Sequence, residues 1–323
     1  MQIIYDHPTS IAIKTVLEAH FPNTSWQVSL LGQDDDLWVA QAYQFNLVVR
    51  TANIDTSQAS QFAKAFAILE LLYARGCPVP EPIATSVHTR SRLAHIHFDW
   101  IITRQSIAKP LANKSLSAEN AYRIGEMLAH LHHIQAQGYG FPQLTRSGFV
   151  GRGTSIYDGV RAICQSDSIW GLDDTVSLES MVIRRRFPQY IPQLNRFKPD
   201  IVEAIHREQP VICHANLHTS TVLIDAKDKL ATILGFDDAC LLPPAWDFAI
   251  AACDFGWRAV EDMLVGYTPD DSEQITLLHD AYLLGLIYGL YQLERHFAST
   301  TSVIRRARTV QFLTHTLNRL KQR

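Results

Sequence analysis

The sequence lacks a long apolar run, an excess of charge of one sign, and the composition of a secreted, disulfide-rich protein. Its most apolar window, residues 281–291, is far shorter than the ~20 residues that cross a bilayer. The segment MQIIYDHPTS at the start has no basic stretch followed by an apolar one, so we predict no signal peptide. A net charge of −3 gives no field that would attract nucleic acid or anionic lipid. We expect a cytoplasmic protein without nucleic-acid or membrane partners.

Cysteine and histidine do not form a recognisable metal motif. The five cysteines are odd in number and scattered, which favours reduced thiols over a disulfide framework. His130, His132 and His133 cluster on a helical pattern, but the surrounding sequence offers them no carboxylate or cysteine partner. We therefore interpret them as partly buried helix histidines rather than metal ligands.

Apolar periodicity divides the chain into two parts, which we place at residues 1–103 and 104–323. The first part reads as a helix over 9–20, strands over 26–31, 37–42 and 45–50, a helix over 58–75, and strands over 83–87 and 96–102. Gly76 and the prolines after it end the second helix. This part predicts a small mixed lobe with an antiparallel sheet.

The second part is mostly helical in pattern. It reads as a helix over 115–137, a glycine-bearing loop region over 139–153, and helices to about residue 208. Short strands over 210–214, 222–225 and 231–236 precede a helical remainder from Trp246. The whole predicts an α+β protein with a small mixed N-lobe, a larger helical C-lobe and a cleft between them.

Two segments near the middle of the second part carry a family signature. VICHANLHTSTVLID (211–225) and ATILGFDDACLLPPAWDFA (231–249) resemble the aminoglycoside phosphotransferases and choline kinases, which read H-G-D-x-H-x-x-N-x-L and I-D-F-x-D-A…P-x-x-D-L-A there. The upstream order also agrees: a glycine turn, a basic strand end, G-C-P-V-P, WIITRQ and L-A-H-L-H. Many motifs in the right order are more specific than one. The resemblance covers most of the chain and is greatest to the stress-response kinase branch.

The resemblance implies a protein-kinase-like fold, ATP as the nucleotide, and a role for each matched position. Phosphoryl transfer needs a carboxylate that takes the acceptor's proton, oxygen ligands for Mg²⁺, and a basic residue on the phosphates. The resemblance places nucleotide-binding positions at Gly32, Arg50 and Ile102, catalytic-loop positions at His214, Asn216 and His218, and metal-ligand positions at Thr221 and Gly235. The counterpart of Asp247 ties down the catalytic loop, and His214 should be buried and structural.

The residues that would perform the chemistry have been replaced. Asn216 stands where the family has its catalytic Asp, and an amide cannot accept the proton. Thr221 offers one neutral oxygen and Gly235 offers no side chain, so Mg²⁺ loses its ligands. Ala215 occupies a glycine position, and Ala65 occupies that of the helix glutamate which fixes the basic residue.

These losses predict a pseudokinase that binds a nucleotide, a small molecule or a partner protein without transferring phosphate. The alternative is an active ATP-dependent small-molecule O-phosphotransferase. Asp237 or Asp238 would then hold the metal, and Asn216 or His218 would orient the acceptor. A third reading is a structural protein whose own side chains fill the cleft.

Two acidic motifs could mimic a metal site. Asp254-Phe255-Gly256 spells the metal-binding tripeptide of protein kinases, but it lies within an apolar helical run, so we interpret it as coincidence. Asp237 and Asp238 match the family's own D-D-A turn, and we favour a loop and helix-capping role for them.

Overall fold

The computed structural model describes residues 8–31, 36–53, 61–89, 93–111, 115–155, 158–159, 181–207, 209–298 and 303–322. The strands are β1 Gln27–Leu30, β2 Leu37–Ala42, β3 Phe45–Asn53, β4 Pro82–Thr85, β5 Phe98–Arg104, β6 Lys109–Pro110, β7 Ala136–Gln137, β8 Tyr139–Thr145, β9 Gly148–Gly153, β10 Val211–Cys213, β11 Val222–Ile224, β12 Leu230–Ile233 and β13 Cys240–Leu242. The helices are α1 Ser10–His20, α2 Gln61–Ala74, α3 Ser86–Thr89, α4 Ala118–His132, α5 Met181–Arg186, α6 Ile191–Arg207, α7 Ala245–Phe255, α8 Trp257–Tyr267, α9 Asp271–Ala298 and α10 Val303–Lys321, with 3-10 turns at Pro188–Tyr190 and Phe236–Asp238.

The chain forms two compact units. The N-terminal unit comprises Met1–Lys109 and Ala231–Asp237, and the C-terminal unit comprises Pro110–Leu230 and Asp238–Arg323. The segment 231–237 thus joins the N-terminal unit although it lies far along the chain. The α+β class with a kinase-like order of elements is confirmed. We predicted a nucleotide-binding lobe over residues 1–103 and a lobe with the catalytic loop over residues 104–323. This division of roles stays a prediction.

The N-terminal unit is built on an antiparallel sheet with strand order β1-β2-β3-β5-β4. The central strand β3 pairs with β2 and β5, with Val49 opposite Trp38 on one side and Ile102 on the other. Helix α1 begins where the Thr9 hydroxyl accepts the N–H of Ala12 at 3.1 Å, a standard N-cap. Its buried face joins the sheet in one apolar core that includes Leu17, Trp38, Leu47, Val49, Trp100 and Ile102.

The C-terminal unit combines a helical core with a five-stranded sheet of order β10-β13-β8-β9-β7. Helices α4 and α8 approach so closely that a Cβ on Gly125 would lie 1.9 Å from the Met263 carbonyl oxygen. Only glycine fits at that crossing. Strand β10 pairs with β13, with Cys213 opposite Cys240. This pairing fixes the start of the loop over residues 214–221.

Three sequence-based expectations for this unit were wrong. The helix predicted over 115–137 ends at His132, and residues Ala136–Gln137 form a strand that pairs with β9. The region 139–153, expected to be a loop, is the hairpin β8–β9. Strand β13 (Cys240–Leu242) was not anticipated. The described cysteines are all free thiols, as expected, and none of the described helices is both long and apolar enough to cross a membrane.

Candidate active site

The loop over residues 214–221 is anchored by a buried carboxylate. Asp247 lies in the first turn of α7 and is fully buried. Its Oδ2 accepts the backbone N–H of His214 at 2.7 Å, and its Oδ1 accepts that of Ala215 at 2.8 Å. Charge-assisted bonds of this kind are short and strong. The expected role of Asp247 in tying down the loop agrees with this geometry.

Ala215 adopts a backbone conformation that favours glycine. Its φ is +59°, in the left-handed region that costs L-residues about 1–2 kcal/mol. This position is the one where the family signature has glycine. The Asp247 carboxylate holds the N–H groups of both His214 and Ala215, so the surrounding structure imposes the conformation on alanine.

A histidine from α4 completes the anchor. Nε2 of His132 lies 3.1 Å from Oδ2 of Asp247, and its Nδ1 lies 3.1 Å from the hydroxyl of Tyr267. The ring therefore bridges the carboxylate and the phenol inside the C-terminal unit. His132 is a buried helix histidine, as we interpreted it. Its carboxylate partner lies 115 residues further along the chain, so the surrounding sequence gave no sign of it.

His132, Asp247 and Cys213 bring three potential metal-ligand atoms within 4.8 Å of one another. Burial, with the nearby Asp247 charge, raises the pKa of the Cys213 thiol well above its usual value. The thiol donates to the carbonyls of Leu242 and Pro243 at 3.5 and 3.4 Å. These bonds, together with those of Asp247 and His132, brace the loop from within the C-terminal unit.

His214 is buried as expected. Its exposed fraction is 0%, and Nδ1 accepts the backbone N–H of Asn216 at 3.2 Å. The ring thus supports the loop from below.

Asn216, at the position of the catalytic Asp, contacts another carboxylate. Its Nδ2 donates to Oδ2 of Asp238 at 2.6 Å. An amide in this place can orient an oxygen but cannot accept a proton. The Asp237–Asp238 pair is therefore more than a turn feature, which corrects our preferred interpretation for Asp238.

Thr221, at a metal-ligand position, is used within the loop. Its exposed fraction is 7%, and its Oγ1 accepts the N–H of His218 at 3.1 Å. The same hydroxyl lies 3.0 Å from the carbonyl oxygens of Asn216 and His218, to which it donates. These bonds occupy the hydroxyl. Thr221 closes the loop in place of offering an oxygen to a cation.

His218 lies among charged groups of both signs. Its Nδ1 is 2.8 Å from Oγ of Ser220 and accepts the N–H of the same residue at 3.3 Å. Burial lowers the pKa of His218, Arg305 lowers it further, and the carboxylates of Asp254 and Asp238 partly oppose the shift. The neutral ring is therefore favoured.

The tripeptide beginning at Asp254 ends a helix, as its apolar context indicated. Asp254 lies in the last turn of α7, and its Oδ2 accepts the N–H of Thr219 at 2.6 Å. It thus braces the loop from outside, a role that the sequence pattern did not suggest.

In the N-terminal unit, Arg50 is bound by a carboxylate. Its Nη1 donates to Oδ2 of Asp237, and its guanidinium carbon lies 5.7 Å from the centre of the Phe62 ring. The side chains are 38% and 14% exposed. Ala65, at the expected helix-glutamate position, is buried in α2. Asp237 therefore takes over the fixing of Arg50.

The remaining predicted positions of the N-terminal unit offer less. Gly235 has a φ of +94° and no side-chain oxygen. The side chain of Ile102 is fully buried in the apolar core, and its assignment as a nucleotide-binding position stays a prediction. Gly32 lies outside the described residues.

The sequence-predicted residues thus fall into two groups. His214, Asn216, His218 and Thr221 share one loop of the C-terminal unit. Arg50 and Asp237 pair within the N-terminal unit. Sequence reasoning missed Asp238, Asp254 and His132 as partners of the loop. The D-D-A turn was the only signal that pointed to one of them.

These features define an α+β protein of the kinase-like class, and comparison with known proteins identifies the family. A model described as "Phosphotransferase enzyme family" matches residues 30–282. The chain therefore belongs to the phosphotransferase enzyme family. No curated protein matches it.

Solved structures of antibiotic phosphotransferases share the fold at low sequence identity. A thermostable mutant of aminoglycoside phosphotransferase APH(4)-Ia, in complex with AMP-PNP and hygromycin B, is 15% identical with a TM-score of 0.62, covering 95% of this chain and 98% of that one. The AMP complex of spectinomycin phosphotransferase APH(9)-Ia is 12% identical with a TM-score of 0.57, covering 96% and 98%. The GDP complex of aminoglycoside 2'-phosphotransferase-IIIa is 13% identical with a TM-score of 0.52, covering 97% and 99%.

Proposed function

We propose that this chain is a pseudokinase of the phosphotransferase family, which binds a small-molecule ligand without transferring phosphate. The observation that carries the proposal is the pairing of Arg50 with Asp237. Active kinases also pair their basic residue with a carboxylate, but their Mg²⁺ neutralises the phosphates. Here the carboxylate is that of Asp237, and residue 235, two positions before it, is a glycine that supplies no metal ligand. A triphosphate would have to displace that carboxylate, and it would meet repulsion from it.

The metal-ligand positions support the same conclusion. Mg²⁺ is bound through carboxylates together with substrate phosphates. Residue 235 is a glycine, and the hydroxyl of Thr221 already bonds to Asn216 and His218. Without the metal, the charge that develops in phosphoryl transfer has nothing to neutralise it.

One observation favours the alternative of an active phosphotransferase. Asn216 holds the carboxylate of Asp238 at 2.6 Å, so a carboxylate lies beside the position from which the catalytic Asp is missing. In this alternative Asp238 would accept the acceptor's proton and Asn216 would orient it. The nucleotide would be ATP, as the AMP-PNP complex of the APH(4)-Ia neighbour suggests, and an amino sugar or amino alcohol would serve as acceptor.

ATP titration with and without Mg²⁺, followed by an ADP-release assay, separates the two functions. We expect any ATP binding to be independent of Mg²⁺, and no ADP above background with hygromycin B, spectinomycin or choline as acceptor. Mg²⁺-dependent ADP release that is abolished by Asp238→Asn would instead establish the alternative.

The triple variant Asn216→Asp, Thr221→Asn, Gly235→Asp serves as the positive control. Asp is among the residues that tolerate a positive φ best, so it is the least disruptive ligand to introduce at residue 235. The triple variant should gain Mg²⁺-dependent ATP binding. If wild type already binds Mg²⁺-ATP as tightly as the triple variant, the metal is held by other groups and the pseudokinase proposal fails.

A further inference from the structure

The C-terminal unit carries a concentration of positive charge that the proposed function does not use. Residues 295–323 contain six arginines and one lysine and no aspartate or glutamate, and residues 180–199 likewise contain basic but no acidic residues. The two stretches meet at the ends of α5, α9 and α10. We define the basic cluster as Arg186, Arg295, His296, Arg305 and Arg306.

Contacts with one aromatic ring hold the cluster together. The guanidinium carbons of Arg186 and Arg306 lie 5.9 and 4.9 Å from the centre of the Phe297 ring. Arginine stacks on aromatic faces and leaves its N–H groups directed outward at the edge of the ring. The Phe297 ring therefore orients two guanidiniums that come from different helices.

The members of the cluster have different roles. Nε of Arg306 donates to the carbonyl of His296 at 3.0 Å, which caps the last turn of α9. Arg186, Arg295 and Arg305 are exposed. Burial and the charges of Arg305, Arg295 and Arg306 lower the pKa of His296. Like charges at this density repel one another, and a bound anion would relieve the repulsion.

We propose that the basic cluster binds a small phosphate-bearing ligand. The planar guanidinium forks match phosphate oxygens in a bidentate geometry. A ligand that carries several ammonium groups would be repelled. The ligand of this chain is therefore anionic, and a polyamine or an uncharged sugar should not bind at this place.

The test is calorimetric titration of the full chain with inorganic phosphate and with glucose 6-phosphate, with glucose and spermine as comparison ligands. We expect both phosphates to bind, and Arg305→Gln and Arg186→Gln each to weaken binding roughly tenfold, the loss that follows from one charge-assisted hydrogen bond. Arg306 is left unchanged because its substitution would also uncap α9.

A matched control is available in the same unit. Arg196 is exposed, and its guanidinium carbon lies 5.9 Å from the centre of the Phe197 ring. Arg196→Gln removes the same charge from a similar setting and should leave phosphate binding unchanged. Circular dichroism melts of each variant show whether the fold is intact.

Three results would overturn the inference: no phosphate binding below the millimolar range, equal weakening by Arg196→Gln, or binding that survives both cluster variants. The titration also separates this inference from the proposed function. Arg50→Gln alters the N-terminal unit and should leave phosphate binding at the basic cluster unchanged. If Arg50→Gln alone abolishes phosphate binding, the phosphate site lies with Arg50 and the basic cluster is a helix-stabilising feature only.

Discussion

Replacing Asp237 with Asn tests the proposed function most directly, because the two candidate functions predict opposite signs. In the pseudokinase, Asp237 neutralises Arg50. Asp237→Asn removes that charge, keeps the size of the side chain, and frees the guanidinium for phosphate. In the active alternative, Asp237 is a Mg²⁺ ligand, and the same substitution must weaken Mg²⁺-ATP binding.

The magnitude follows from the exposure of the pair. The Arg50 and Asp237 side chains are 38% and 14% exposed, so solvent screens their attraction and the pair contributes at most about 1 kcal/mol. That free energy no longer opposes phosphate binding in the variant. We therefore expect ATP without divalent cations to bind roughly fivefold more tightly.

The assay is calorimetric titration of ATP at low ionic strength, once with a chelator and once with Mg²⁺. The matched control is Glu81→Gln, since Glu81 pairs with Arg104 in the same unit and the two side chains are 29% and 46% exposed. This control loses one negative charge without freeing Arg50, so it should bind ATP as wild type does. Weaker binding by Asp237→Asn, or equal gains in both variants, would refute the reasoning.

Three further substitutions test the loop. Ala215→Gly should raise the free energy of unfolding by about 0.5–1 kcal/mol, because glycine removes the strain of a positive φ at some entropic cost. Urea denaturation measures this free energy, and a destabilised variant would contradict the prediction. Asn216→Asp brings a carboxylate next to that of Asp238, which lies 2.6 Å from the present amide nitrogen. The two charges repel, so the melting temperature should fall in a chelator and recover when Mg²⁺ is added. A melting temperature insensitive to Mg²⁺ would count against this. The pKa of His218 is lowered in the fold, so the unfolded chain binds the proton at a higher pH than the folded chain does. Stability should therefore fall as the pH drops below about 6.5. Between pH 7.5 and 5.5 the melting temperature should fall less for His218→Gln than for wild type, and an equal fall would be inconsistent with this account.

Local signals were sufficient for most elements of the N-terminal unit. Apolar spacing predicted a helix over 9–20, within one residue of α1, and strand β2 has the bounds that its residue pattern indicated. The hairpin β8–β9 was missed because its glycines and Pro142 are typical of loops. The structure places Pro142 next to a register shift in the pairing of β8 with β9, where a strand tolerates proline.

The partners of the site residues could not be predicted from sequence. Arg50 and Asp237 are 187 residues apart, and His132 and Asp247 are 115 residues apart. No local pattern brings such residues together, because their proximity follows from the tertiary packing of strands and helices. The motif identified the positions whose residues depart from the family signature, whereas only the structure identified what these residues and their neighbours contact.

The described carboxylates around these positions already have partners, which explains how metal binding would be lost in the proposed pseudokinase. Asp247 binds two backbone N–H groups and His132 inside the core, so a cation cannot recruit it without releasing the loop. Asp237 and Asp238 are engaged by Arg50 and Asn216. A ligand shifts such pairs only by its differential affinity for the rearranged state, and each pair worth about 1 kcal/mol lowers the apparent affinity roughly fivefold. The missing ligand at Gly235 and the commitment of Asp237 are therefore separate causes. Restoring Asp at residue 235 alone would leave Arg50 neutralised, and full recovery of nucleotide binding requires that Asp237 be released as well.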